Sequence, residues 1–459
     1  METTMIDLQQ RIDTSKFNGF HRMILFWCTL ILILDGYDLA VVGAALPSIM
    51  KDMGVSATTA GFMASSALFG VMIGAMFFGT LADRVGRPKM LVLGIALFSI
   101  FTAATGLARD PITFSVIRFI AGLGIGGVLP ICAAQMGEFA PTALRSRLVA
   151  IVFAGYPVGG VLVAVLAKQL IAEYGWGSVF YVAILPLLLI PFILKTMPDS
   201  VPYLVRHGRQ AELRKLALRI SPGEALPADA VFAVSQVDLQ SKAPIRALFQ
   251  NGRGFSTLMI WLAFFFGLFM VYALSSWLTK LLAIAGYSLG SALNFVLVFN
   301  AGAIVGAVGG AWLGDKFNIK HVLVCLYALG AASLTLMGFV TSTEVLFAMV
   351  FLVGATTLGT QLVAYAYAAA FYPTAIRSTG VGFASGVGRS GGILAPIIIG
   401  VIVALELPFQ QNFMAIGLAG FLGMLAVMLI RHSLFASTTQ AKAPPAVSPP
   451  LPSLQKGLN

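Results

Sequence analysis

Long apolar runs separated by short polar breaks dominate the chain. Twelve such runs lie near residues 23–45, 59–81, 90–108, 111–134, 148–170, 176–195, 255–279, 288–312, 321–340, 344–369, 379–404 and 411–430. Each is about 20 residues long, and at ~1.5 Å per residue a helix of that length crosses the ~30 Å hydrocarbon layer of a bilayer. Barrel strands would alternate over ~10 residues; these runs are unbroken for about twice that, so the predicted fold is an all-α polytopic membrane protein of twelve transmembrane helices. The polar remainder divides the chain into an N-terminal segment (1–22), a first six-helix bundle (23–195), a central loop (196–254), a second six-helix bundle (255–432) and a tail (433–459).

Two polar stretches carry further pattern. Within the central loop, Tyr203 to Ile220 spaces Leu204, Leu213, Leu216 and Ile220 along one helical face with basic residues opposite, which predicts a surface helix at the membrane boundary. The tail, with its run APPAVSPPLP, has too few apolar residues to build a core and is expected to be disordered. A mostly polar opening and no small-residue cleavage site predict no cleavable signal peptide.

Composition agrees: 58% of the 459 residues are hydrophobic and 10% charged, against about 25% charged in a soluble domain, which excludes a water-soluble fold. A net charge of +11 invites a nucleic-acid partner until the basic residues are placed. With the N-terminus inside, twenty-three of the 29 Lys and Arg fall on the cytoplasmic side; Lys51, Arg109, Lys168 and Lys280 fall opposite, and Arg118 and Arg389 fall inside spans. That bias predicts both termini in the cytoplasm and disperses the positive charge over loops, so no nucleic-acid partner is expected. Cys28, Cys132 and Cys325 lie in apolar runs and predict neither a disulfide framework nor a metal site; no cofactor is expected.

The chain repeats itself. Asp83 in GTLAD returns as Asp315 in GAWLGD, Pro141 to Ser146 (PTALRS) returns as Pro373 to Ser378 (PTAIRS), and Gly159-Gly160 returns as Gly391-Gly392, always 232 residues on. With six spans before and six after the central loop, the halves are parallel repeats of equal orientation, an arrangement that places a ligand near the midplane between them.

Four charged residues lie deep in spans: Asp35, Asp38, Arg118 and Arg389. A charge at the bilayer centre costs about 2.5–3.5 kcal/mol on insertion scales, so it persists where it is paired or lines a wet cavity. Counting residues from the span ends puts all four in one central layer, with Asp35 and Asp38 on one helix face. Arginine stays protonated and grips carboxylates bidentately, so Arg389 or Arg118 is expected to hold an anion, with Arg389 the first choice and Arg118 pairing Asp38 in the empty state. A desolvated aspartate can take up a proton, so Asp35 or Asp38 is expected to carry a coupling proton. The repeat aligns Arg389 with Pro157, and Asp35 and Asp38 with Gly267 and Met270, so the charges are additions to the scaffold. Tyr37, Tyr272, Trp277, Tyr365 and Tyr367 are candidates to stack on an aromatic ligand, and Asn300 and Gln361 join the candidate substrate contacts.

At the predicted cytoplasmic end, GTLADRVGRPK (Gly79 to Lys89) joins the second and third spans. It reads as a gate in which Asp83 pairs across the halves, with Arg84, Arg87, Arg145 and Arg377 around it and Glu138 near Arg145 and Arg147. RFIAGLGIGG (Arg118 to Gly127) holds a formal GxGxxG, but inside a span and without a preceding strand it is no dinucleotide fingerprint; Gly122 and Gly126 instead permit close helix packing. No histidine sits at the midplane, and no Ser/His/Asp or metal-ligand constellation supports an enzyme.

These motifs resemble the major facilitator superfamily over nearly the whole chain. LDGYDLAVVGAALP (Leu34 to Pro47) and YPTAIRSTGVGFASGVGRSGG (Tyr372 to Gly392) look like its aromatic acid:H+ symporter family, and PDSVPYLVRHGR (Pro198 to Arg209) resembles the central-loop signature shared with sugar porters. The resemblance implies proton-coupled uptake of a benzoate- or hydroxybenzoate-like acid into bacteria that degrade aromatic compounds, across the inner membrane, with Asp35 and Asp38 in coupling and Asp83, Arg118, Glu138, Arg377 and Arg389 at functionally sensitive charged positions. The expected partners are the substrate, protons and lipid, and the chain is expected to work as a monomer. Two departures keep alternatives open. GDKFNIK (Gly314 to Lys320) lacks the glycine and arginine of its first-half copy, and GYPVGG (Gly155 to Gly160) partly resembles an antiporter motif. A proton-coupled exporter of amphiphilic compounds, or a sugar-porter-like importer of another organic acid, remains the competing reading.

Overall fold

A computed structural model describes residues 5–222, 227, 231–233, 245–373 and 376–431, without the side chains of Met5, Thr80, Asp83, Ala233, Ala311, Asp315 and Ser378. The Pro-rich tail and much of the central loop lie outside the described residues. A short strand β1 (Met5–Asp7) and helix α1 (Leu8–Thr14) precede the first long helix, α2 (Gly19–Met53). There follow α3 (Ala57–Val85), α4 (Arg87–Thr105), α5 (Pro111–Phe139) and α6 (Arg145–Tyr174). The sixth crossing is composite: α7 (Gly177–Tyr181), a 3₁₀ stretch over Val182–Leu189, and α8 (Ile190–Thr196). Pro186 and Pro191 each remove a backbone donor there, which breaks the regular α-helical ladder.

The central loop contributes α9 (Val201–Arg206), α10 (Gln210–Ile220) and strand β2 (Val231–Ala233), and the second half comprises α11 (Gly254–Ile284), α12 (Leu289–Lys316), α13 (Ile319–Met337), α14 (Thr343–Phe371), α15 (Arg377–Ala404) and α16 (Phe409–Leu429). Among the described residues, twelve crossings are long and apolar enough to span a membrane. The ends exceed the apolar runs because caps lie outside them. Asn18 and His21 close a capping box at the start of α2, and Gly54, at φ +62°, ends it in the left-handed conformation that glycine adopts without a Cβ penalty.

The predicted single helix over Tyr203 to Ile220 is two helices, parted at Gly208 with φ +65°. Its apolar residues are also not spread on a membrane surface. Leu204, Leu213, Leu216 and Ile220 are buried in one cluster with Leu8, Ile12, Phe20 and Phe232. β1 and β2 pair in parallel, with Ile6 opposite Phe232. Asn18 Nδ2 donates to the Ile220 carbonyl at 2.8 Å, Arg219 lies 5.0 Å over the Phe20 ring, and Arg145 pairs with Asp13. The N-terminal segment thus straps the central helices beneath the first half.

The repeat is realised residue by residue. In the α3–α5 pair, a Cβ on Gly70, Gly74 or Gly122 would collide with the carbonyl oxygen of Phe119, Leu123 or Ala67. In the α12–α14 pair, Gly302, Gly306 and Gly354 stand in the same way against Phe351, Ala355 and Phe299. Each partner lies 232 residues beyond its counterpart. The glycines of the GxGxxG run are therefore packing residues, as their place in a membrane span implies. Between the halves, Gly43 meets Ser275, Gly61 meets Pro396 and Gly400 meets Ala57, while Ser65 Oγ donates to the Ile393 carbonyl at 2.7 Å. All of these lie toward the face opposite the strap.

Candidate functional site

The four deep charges separate into two settings. Asp38 and Arg118, on α2 and α5, form a closed pair: Arg118 Nη1 lies 3.0 and 3.2 Å from the two carboxylate oxygens of Asp38 and 2.9 Å from Thr102 Oγ1, and Nη2 donates to the Asp38 carbonyl at 3.1 Å. Both side chains are 1% exposed. Two charges out of water are tolerable only with such geometry, since the desolvation penalty is several kcal/mol per ion.

Asp35 and Arg389 instead face a cavity of about 120 Å³ between the halves. One turn below Asp38 on the same helix, Asp35 is buried, and its Oδ1 has no hydrogen-bond partner. Arg389 is half-buried and reaches across the halves to the Val71 carbonyl at 3.2 Å; no ion pair to it occurs among the described residues. The other walls are Leu39, Leu129 and Phe153 from the first half and Leu268, Leu358 and Leu362 from the second, with Tyr156, Tyr272, Tyr365 and Gln361 between them. Tyr156 and Tyr272 line the cavity from opposite halves, and the Tyr365 hydroxyl is 2.7 Å from Ser385 Oγ. An apolar, aromatic chamber with one arginine and one carboxylate suits a small amphiphilic anion.

Of the candidate substrate contacts, Arg389, Tyr272 and Gln361 line this cavity. Arg118, Tyr37, Trp277 and Asn300 are not among its walls. Arg118 is engaged by Asp38, and Tyr37 donates to the Val179 carbonyl at 2.7 Å. Trp277 is fully buried and donates to the Pro396 carbonyl at 2.9 Å, within the seal opposite the strap. Asn300 donates to the Val296 carbonyl at 2.8 Å and packs on Gly160. Tyr156 and Phe153 were missed as cavity walls. The signal is the tyrosine in GYPVGG, about three turns along α6 from its cytoplasmic-side end, which the motif alone does not assign to a cavity.

Five of the six candidate gate residues lie on the first half, and Arg377 lies on the second. Arg87 Nη1 pairs with Glu138 Oε2 at 2.6 Å and donates to Gln135 Oε1 at 3.3 Å. Glu138 Oε1 accepts the Val201 backbone N–H at 2.6 Å, and Gln135 Nε2 donates to the Pro198 carbonyl at 2.6 Å. Glu138 therefore sits with Arg87 rather than with Arg145, which pairs with Asp13. Arg84 is exposed, Arg377 begins α15, and the Asp83 side chain lies outside the described residues. Asp199 packs against Gly86, and burial raises its carboxyl pKa above the ordinary range.

Comparison with known proteins decides the family. The chain matches the Major Facilitator Superfamily over residues 28–314 and 295–457. It belongs to that superfamily. It is 41% identical over 431 residues to a benzoate transport protein of Acinetobacter baylyi, covering 93% of this chain and 92% of that one. A gallate transporter of Pseudomonas putida is 34% identical over 442 residues (96% and 98%), and a 4-hydroxybenzoate transporter of Pseudomonas aeruginosa 33% identical over 427 residues (92% and 95%). These relatives place it with the aromatic acid:H+ symporters of the superfamily. A crystal structure of a D-xylose-proton symporter superposes with TM-score 0.68 at 19% identity, covering 90% of this chain and 97% of that one, which shows the shared twelve-helix fold. The protein is a multi-pass membrane transporter and not an enzyme.

Proposed function

We propose that this transporter takes up a small aromatic carboxylate together with a proton across the bacterial inner membrane, working as a monomer with both termini in the cytoplasm. The observation that carries this reading is the pairing of an unbridged Arg389 with an orphaned Asp35 on one tyrosine-lined cavity. The substrate carboxylate takes the Arg389 fork in place of the Val71 carbonyl, a charge-assisted and bidentate exchange for a single neutral bond. Asp35 accepts the proton, so one anion and one proton enter and the net charge of the site is unchanged. Asp38, held by Arg118, becomes available to a proton when that pair opens.

The seal between the halves lies opposite the strap, at Gly43, Gly61 and Trp277, so the cavity is read as facing the cytoplasm. The gate residues Asp83, Arg84, Arg87, Glu138, Arg145 and Arg377 are assigned to the closing and opening of that face. Relatives that transport benzoate, gallate and 4-hydroxybenzoate support the substrate class.

The test is uptake of labelled benzoate and 4-hydroxybenzoate into proteoliposomes under an imposed inward proton gradient. Accumulation is expected to vanish when a protonophore collapses the gradient, and in Asp35→Asn. Arg389→Lys, which keeps charge but loses the fork, is expected to raise the apparent KM at least ~10-fold. Accumulation indifferent to the gradient removes the coupling, and wild-type affinity in Arg389→Lys removes the carboxylate assignment.

A further inference from the structure

Among the polar side chains lining the cavity, two hold buried atoms without a hydrogen-bond partner, Asp35 and Gln361, and Gln361 is the one the coupling proton does not engage. Arg389 has the Val71 carbonyl and Tyr365 has Ser385. Gln361 is 5% exposed, yet neither its Nε2 nor its Oε1 has a hydrogen-bond partner. A buried amide left in that condition is destabilising, and the scaffold does not require it. The residue at the matching position of the first half is Leu129, which lines the same cavity.

Room for the amide is provided by Gly267: a Cβ there would lie 2.8 Å from Gln361 Oε1 and 2.7 Å from the Tyr327 hydroxyl. That hydroxyl offers Gln361 no donor, since its proton goes to the Ala263 carbonyl at 2.6 Å. Gln361 and Tyr365 are one turn apart on α14 and face the cavity together. A ring stacked on Tyr365 would therefore present its edge to the amide.

We propose that Gln361 reads a hydroxyl on the substrate ring, which makes hydroxylated aromatic acids the substrates this site selects over the unsubstituted ring. The inference rests on the aromatic-carboxylate reading above. A phenolic hydroxyl donates one hydrogen bond and accepts another, as does the amide, so one substituent satisfies both ends of Gln361. The amide is neutral and does not compete with Arg389 for the carboxylate. Selection follows from the asymmetry of buried polar sites, which reject a ligand lacking the matching group more strongly than an apolar pocket rejects an added one.

Competition for labelled uptake by benzoate and its 2-, 3- and 4-hydroxy forms tests this. At least one hydroxybenzoate is expected to compete about tenfold more strongly than benzoate in the wild type. Gln361→Met, of similar volume but unable to form these bonds, should weaken that hydroxybenzoate, strengthen benzoate and bring the ratio near unity. Gln361→Asn, which retracts the amide by one methylene, should give an intermediate ratio, and it decides the matter together with the wild-type ratio if the Met variant does not yield folded protein. Benzoate competing as well as every hydroxybenzoate, or an unchanged ratio in Gln361→Met, overturns the role of Gln361 while leaving aromatic-acid transport intact. Failure of all four acids to compete removes both readings.

Discussion

Gly70, Gly74 and Gly122 of the first half receive carbonyls of Phe119, Leu123 and Ala67, and Gly302, Gly306 and Gly354 of the second half receive those of the matching residues. Asp83 and Arg145 recur as Asp315 and Arg377, but the charges at the membrane centre and the Arg87–Glu138 pair follow no such rule. Where the first half has Asp38 and Arg118, the second has Met270 and Val350, both buried. Where the first half has Arg87 and Glu138, the second has Ile319 and Ala370. Asp35 is answered by Gly267, and Arg389 by Pro157. Backbone contacts between helices repeat because a close helix crossing needs small residues at fixed spacing. A charge in the membrane carries a cost, so it is retained where it has a task. The two halves accordingly share a skeleton while most of the ionic chemistry sits on one of them.

The sharpest way to break this comparison is to make the first half resemble the second. Asp38→Ala leaves Arg118 buried and unpaired and should cost about 3–5 kcal/mol, read as a large drop in the melting temperature of the purified transporter. The double variant Asp38→Met with Arg118→Val reproduces the apolar pair of the second half and should recover most of that stability while losing uptake. Retained uptake in the double variant would make the pair structural alone.

The shared skeleton predicts equality instead. Gly122→Val and Gly354→Val each force a Cβ into a backbone carbonyl and should each cost about 1–3 kcal/mol or more. Melting temperatures that differ widely between them would show that the repeats are not packed alike.

A smaller effect belongs to Asp199 of the central loop, which packs against Gly86 of the first half. Its carboxyl pKa is raised, chiefly by burial, so the folded state holds the proton more tightly than the unfolded one. The stability it contributes is complete at acidic pH below the ordinary carboxylate range and is lost as pH rises through the folded pKa. Asp199→Asn should therefore melt slightly higher than wild type at neutral pH, with the difference shrinking on acidification. A gap independent of pH would assign the effect to packing.

Much of the architecture could be read without coordinates. Span length reflects transfer free energies that accumulate along a local apolar run, and the repeat at 232 residues survives as matched glycine contacts. The four deep charges were also visible, because a charge inside an apolar run stands out regardless of its partners.

The Arg118–Asp38 pair is expected from the sequence and the structure forms it, but the strap was not visible. That Asp35 rather than Asp38 faces the cavity with Arg389 depends on the rotation of α2 against α5 and α15, and a rotation is not written in spacing along one helix. β1 and β2 are three residues each, too short to show alternation, and they exist because the fold brings residues 5–7 and 231–233 together. Trp277 and Gln361 are both polar-tipped side chains in apolar spans. The tertiary packing alone sends the tryptophan N–H to the Pro396 carbonyl and leaves the glutamine amide facing the cavity. Local transfer energies determine that a segment enters the membrane, whereas hydrogen-bond partners are settled over distances of a few ångströms by how the helices lean on one another.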